Sequence, residues 1–131
     1  MPHVVFDNEI NLERLSKEFC SIFAKEKIII KIEDIFLNRE KNIALIPTLV
    51  IDEKHQQFMM VLNTREKKST LRLDPNTDPE KTDGVKQAMG MVTLLILSIF
   101  TDLQITKTNI REFIPKGLLE NKNENLGSRT T

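Results

Sequence analysis

The chain has 131 residues, 19 basic against 19 acidic side chains, seven Phe, no Trp or Tyr, and one cysteine. That length suits one domain, and the cancelled charge gives no overall pull toward nucleic acid or an anionic membrane. Scarce aromatics leave few platforms for stacking bases. Cys20 has no partner for an internal disulfide, no apolar run approaches the ~20 residues that span a bilayer, and no charged start leads into a signal-peptide core. The expectation is a cytoplasmic protein.

His3 to Phe6 is a short β-branched and aromatic run, the first predicted strand. Asp7 and Asn8 offer turn and cap chemistry, and Ile10, Leu12, Leu15, Phe19, Ile22 and Phe23 then recur at helical spacing, predicting an amphipathic helix to about Glu26. Cys20 beside that stripe reads as a packing residue. From residue 28 the period changes. Ile28 to Ile32 reads as a strand, and Asn42–Ile51 and Gln57–Asn63 as two more, joined by the hairpin signature Asp52-Glu53-Lys54-His55. Pro47 inside the first of these predicts an edge strand or a bulge. Arg65 to Lys68 makes a charged turn into another strand, Ser69–Leu73.

Asp74 to Glu80 is the clearest loop. Asp74, Asn76 and Asp78 have the alternate spacing that opens a calcium loop, but Pro79 and Val85 stand where the motif needs glycine and glutamate. Asp78 before Pro79 reads instead as a helix N-cap with proline at the first helical position. The helix predicted from Glu80 to about Leu103 is apolar nearly all round, so it either lies across a sheet or also meets another subunit. Ile105 to Ile114 reads as a last strand, ended by Pro115. Residues 1–119 form the expected single domain, and 120–131 a polar, mobile tail. His3 and His55 have no carboxylate or cysteine at ligand spacing, so no metal site is expected.

The order strand, helix, strands, helix, strand suggests an α+β fold: two β-α-β halves forming one mixed sheet, two helices packed on one face, and an extra hairpin in the middle. The start Met1-Pro2-His3 adds a chemical possibility. Removing Met1 would leave Pro2 with a secondary amine; such an amino group titrates near ~8, and burial lowers that, producing a general base for neutral pH. With Val85-Lys86-Gln87-Ala88-Met89-Gly90, Asn109 to Pro115, and Asn121-Lys122-Asn123, this start resembles the tautomerase superfamily, in its 5-carboxymethyl-2-hydroxymuconate isomerase branch.

The resemblance implies a homotrimer with the site at a subunit interface, and a cofactor-free tautomerase or isomerase that moves a proton on a small unsaturated keto or enol carboxylic acid. Pro2 would be the base, and Arg39 and Arg72 would bind the substrate carboxylate, with Arg65 a further candidate. No metal or organic cofactor is implied. Pro75-Asn76 stands where many members carry Gly-Arg just before the second helix. The alternative from a different class is a non-catalytic oligomeric interaction module of similar α+β fold, favoured by the broad apolar surface of residues 85–100.

Overall fold

The computed structural model describes residues 1–115. Eight strands and two helices follow in the order β1 (His3–Phe6), α1 (Leu12–Glu18), β2 (Ile22–Lys25), β3 (Ile29–Ile32), β4 (Phe36–Leu37), β5 (Ile43–Ile51), β6 (His55–Arg65), β7 (Lys68–Leu73), α2 (Asp83–Ile99) and β8 (Ile105–Thr108), closed by a 3₁₀ turn at Arg111–Phe113. The strands form one sheet in the order β2-β3-β5-β6-β7-β1-β8, with β4 pairing with β5. The protein is therefore α+β with two helices.

Every pairing is antiparallel, which corrects the mixed sheet expected from the element order. Strands β1 and β2, which flank α1, stand far apart in the sheet and run in opposite directions. Strands β7 and β8, which flank α2, run in the same direction with β1 between them. Tight turns at residues 26–28, 52–54 and 66–67 make sequential strands antiparallel neighbours, leaving few longer crossovers.

Helix α1 is shorter than its apolar spacing suggested. Asn11 caps it, its side chain accepting from Arg14 N at 3.0 Å, but Phe19 is already extended at φ −62°, ψ 130°. Residues 22–25 satisfy both periods. As a strand they bring Ile22 and Ala24 opposite the buried Ile32 and Ile30, and they hydrogen-bond along β3. Pairing an entire ladder overrides weak helical propensity.

Helix α2 starts later than expected, at Asp83, because Thr82 and not Asp78 supplies the cap: its hydroxyl accepts from Val85 N at 3.3 Å. Asp78 instead turns at φ 26° and pairs with Lys81. The helix stops at Ile99, before the expected Leu103. The last predicted strand is also cut short at Thr108, since the chain tightens into the 3₁₀ turn that lies against Gly90 of α2. A Cβ on Gly90 would sit 2.1 Å from the Phe113 carbonyl oxygen, so only glycine permits this approach. The segments 116–119 and 120–131, assigned to the end of the domain and its tail, lie outside the described residues.

The core lies between the sheet and the helices. Val4, Phe6, Ile30, Ile32, Ile46, Met60, Leu62, Leu71 and Leu73 point inward from the strands, and meet Leu12 and Leu15 of α1 and Val85, Met89, Val92 and Ile96 of α2. Burying each such side chain contributes about 1.5–3 kcal/mol. One polar cluster lies within it: the Ser69 hydroxyl is 2.9 Å from both Asn8 O and Thr64 Oγ1, and Ile10 N donates to both hydroxyls. This ties the segment after β1 to the β6–β7 hairpin. No helix among the described residues is long and apolar enough to cross a membrane.

Candidate functional site

Strand alternation and register sort the side chains onto two faces. The inward face is the core. On the outward face Phe36, Leu45, Val61, Arg72 and His3 form one continuous cross-strand row. A second row holds Ile43, Asn63, Thr70, Val5 and Lys107, and a third holds Phe23, Lys31, Leu49 and Gln57. Helices cover only the inward side. Phe23 is left 63% exposed, Phe36 55% and Leu45 38%.

The outward face is graded. Over β2 to β6 it is mostly apolar, with Ile29, Ile43, Pro47, Leu49, Ile51 and Met59 around the three exposed residues. Val61 is buried yet separate from the core cluster, screened by its neighbours on this face. Among the described residues no strand contains an Asp or a Glu, and the strand cations Lys25, Lys31, Arg65, Lys68, Arg72 and Lys107 all project outward. The acidic groups bordering this face, Glu33 and Asp34 at the larger recess and Glu66 at the smaller, come from turns and loops.

Two recesses open here. The larger, about 760 Å³, lies where β5 lacks a neighbour: β4 pairs with Ala44 and Leu45, β3 with residues 49–51, and Ile46 to Thr48 are left between them. This explains Pro47. It occupies an interior strand, neither on the sheet edge nor in a bulge, but in the one stretch of β5 with no ladder on that side to interrupt. Phe36, Pro47, Leu49 and Met59 wall the recess, and Thr48 at its base satisfies its hydroxyl on Ile46 O at 3.0 Å. The smaller recess, about 320 Å³, is polar and is bounded by Asn63, Arg65, Glu66, Lys68, Thr70 and Arg72.

The residues singled out from the sequence do not converge within one chain. Pro2 is buried just before β1, in the inward phase of Val4 and Phe6. Arg72 pairs in register with His3 and therefore lies on the opposite, outward face. Arg39 is exposed in the turn between β4 and β5, outside both recesses. Arg65 is exposed and borders the smaller recess. Around Met1, Asn109 Nδ2 donates to its carbonyl at 3.0 Å, and His3 Nδ1 lies 2.9 Å from the same oxygen. In the loop before α2, the Asp74 carboxylate accepts from Asn76 N at 3.0 Å, the bond of a turn. No His, Cys, Asp and Glu cluster suited to a metal occurs among the described residues.

The exposed aromatic field had a signal in the sequence. Residues 43–51 are apolar at every position except Thr48, the mark of a strand covered on both faces, while helices cover only one. Charged contacts elsewhere are structural: Lys54 pairs with Glu80, which raises the lysine pKa, and the Thr82 hydroxyl bonds to Asp52 and holds that carboxyl below its usual value. No family model, no curated protein and no solved structure matches this chain.

Proposed function

We propose that the chain is a non-catalytic interaction module that assembles with copies of itself through the apolar part of its outward sheet face. The observation that carries this reading is the solvent exposure of Phe23, Phe36 and Leu45 within a mostly apolar cross-strand field. β2, β3, β5 and β6 lie side by side about 4.8 Å apart, with β4 on the same side of β5 as β3, and residues rise about 3.4 Å each along β5, giving a field roughly 14 Å by 30 Å, on the order of 400 Å². A standard protein interface buries about 800 Å² on each partner, so the field has the size of the apolar centre of such an interface, with the polar residues around it as the rim. Sheet faces pack on one another about 10 Å apart with interdigitated side chains, which suits a second copy of the same surface.

Sedimentation equilibrium on the full chain tests this. The wild type should be an oligomer at tens of micromolar, and Leu45→Asp and Phe36→Asp should each give a folded monomer. A wild type that stays monomeric would overturn the proposal.

A second reading, the cofactor-free tautomerase, is favoured by the polar groups around the Met1 carbonyl. Loss of Met1 would leave Asn109 and His3 without that partner and beside a secondary amine at Pro2. Pro2 would then take a proton from a carbon next to the carbonyl of a small unsaturated keto or enol acid. Because the sheet separates Arg72 from Pro2 in one chain, the substrate carboxylate would be held by Arg39 or Arg72 of a neighbouring copy, as in a homotrimer. Intact mass and Pro2→Ala decide this reading: a retained Met1, or unchanged ketonisation after the substitution, removes it.

A further inference from the structure

We propose that the smaller recess on the outward face is a binding site for a phosphate monoester, held by Arg72 and Lys68 with Asn63 and Thr70. Three observations point there. Arg72 is partly buried in the interior of a strand, between Val61 and His3, and among the described residues no carboxylate lies within ion-pair distance of it or of Lys68. Arg65 and Lys68 stand directly opposite each other across the β6–β7 ladder, an arrangement of like charges that destabilises a bare sheet. Five of the six side chains around the recess can donate hydrogen bonds, the exception being the Glu66 carboxylate.

The charge balance selects the ligand. Arg65, Lys68 and Arg72 contribute three positive charges, and Glu66 contributes one negative charge, 3.6 Å from Arg65 Nε. The sum of plus two matches a phosphate monoester, which carries about −1.5 to −2 at pH 7. Arg72 can offer a planar fork to two oxygens and Lys68 a point charge to the third, with the Thr70 hydroxyl and Asn63 amide as neutral donors. The donors come from paired strands, so the backbone beneath them is already ordered before binding. The site involves neither Pro2 nor the exposed apolar residues of the self-association face, but it shares Arg72 with the tautomerase reading, so Pro2→Ala, which would abolish that activity, should leave phosphate binding unchanged.

A ¹H–¹⁵N correlation titration with inorganic phosphate and with glycerol 3-phosphate, at constant ionic strength, tests the site. Saturable shifts should be confined to amides near residues 63–72. Arg72→Gln and Lys68→Gln should each weaken binding about tenfold or more, consistent with loss of a charge-assisted contact. Lys25→Gln, at the far edge of the face, should leave binding unchanged. A parallel arm uses vesicles of phosphatidylcholine with and without phosphatidic acid. Arg72-dependent vesicle binding identifies the phosphate as a lipid headgroup, and binding of the free monoester alone identifies a soluble ligand. Linear, unsaturable shifts, or the same shifts in folded Arg72→Gln, would overturn the proposal.

Discussion

Replacing Gly90 with alanine sets two opposing effects against each other at one atom. Alanine is favoured over glycine in a helix interior by about 1 kcal/mol, so an unobstructed Gly90→Ala would stabilise α2. Here the new methyl would lie 2.1 Å from Phe113 O and 2.9 Å from Phe113 C. A carbon in favourable contact with a carbonyl oxygen sits at about 3.3 Å or more, so the 3₁₀ turn must retreat by about 1.2 Å. That turn is anchored on both sides by the buried Ile110 and Ile114, and by Phe113 N donating to Ile110 O at 2.8 Å. Partly withdrawing two isoleucines adds to an overpacking cost of about 1–3 kcal/mol, which outweighs the helical gain. The expected net loss is about 1–2 kcal/mol, read as a lower urea midpoint at unchanged slope and a melting point lower by roughly 3–8 °C. Ser98→Ala, at an exposed position of the same helix, is the control and should be near neutral. Equal or greater stability in Gly90→Ala would refute the docking of the turn on α2.

Other substitutions probe separate parts of the chain. Ser69→Ala removes a hydroxyl shared by Ile10 N, Asn8 O and Thr64 Oγ1 in the core, and should cost about 1–3 kcal/mol in denaturant unfolding; a neutral result would mean the cluster is not formed. Glu66 and Lys67 form the two-residue β6–β7 turn with φ of 54° and 63°, values that suit Asn-Gly; Glu66→Asn with Lys67→Gly should therefore raise stability by about 1 kcal/mol or more, measured in the same way. The Thr82 hydroxyl lowers the Asp52 pKa, so this contribution is complete above the unfolded carboxylate value of about 3.9 and fades as pH falls through the lower folded value. Thr82→Val should flatten that part of the acid-unfolding profile and, by removing the helix cap, cost about 1 kcal/mol at pH 7. An unchanged acid profile would refute the Asp52–Thr82 link.

The sequence by itself determined the local elements whose residues agree at every level. The β5–β6 hairpin, the β7 strand and the buried character of α2 follow from alternation, turn chemistry and an apolar helical surface, and they stand close to where those signals place them. The absence of Asp and Glu from the strands of the described residues was legible there too. Tertiary structure decided the rest. Ile22 to Lys25 fit helix and strand alike, and the free edge of β3 settled the matter by offering a complete ladder. The start of α2 moved to Thr82 because a cap is chosen by which side chain reaches a free backbone donor, and Asp78 is engaged in its own turn. Pro2 and Arg72 lie 70 positions apart, and only the pairing of His3 with Arg72 puts them on opposite faces. The side-chain period of two makes that parity all-or-none, so a single step in register would have placed them together. The β6–β7 register set Arg65 against Lys68 and brought these two with Arg72 around one recess, a placement decided by strand pairing.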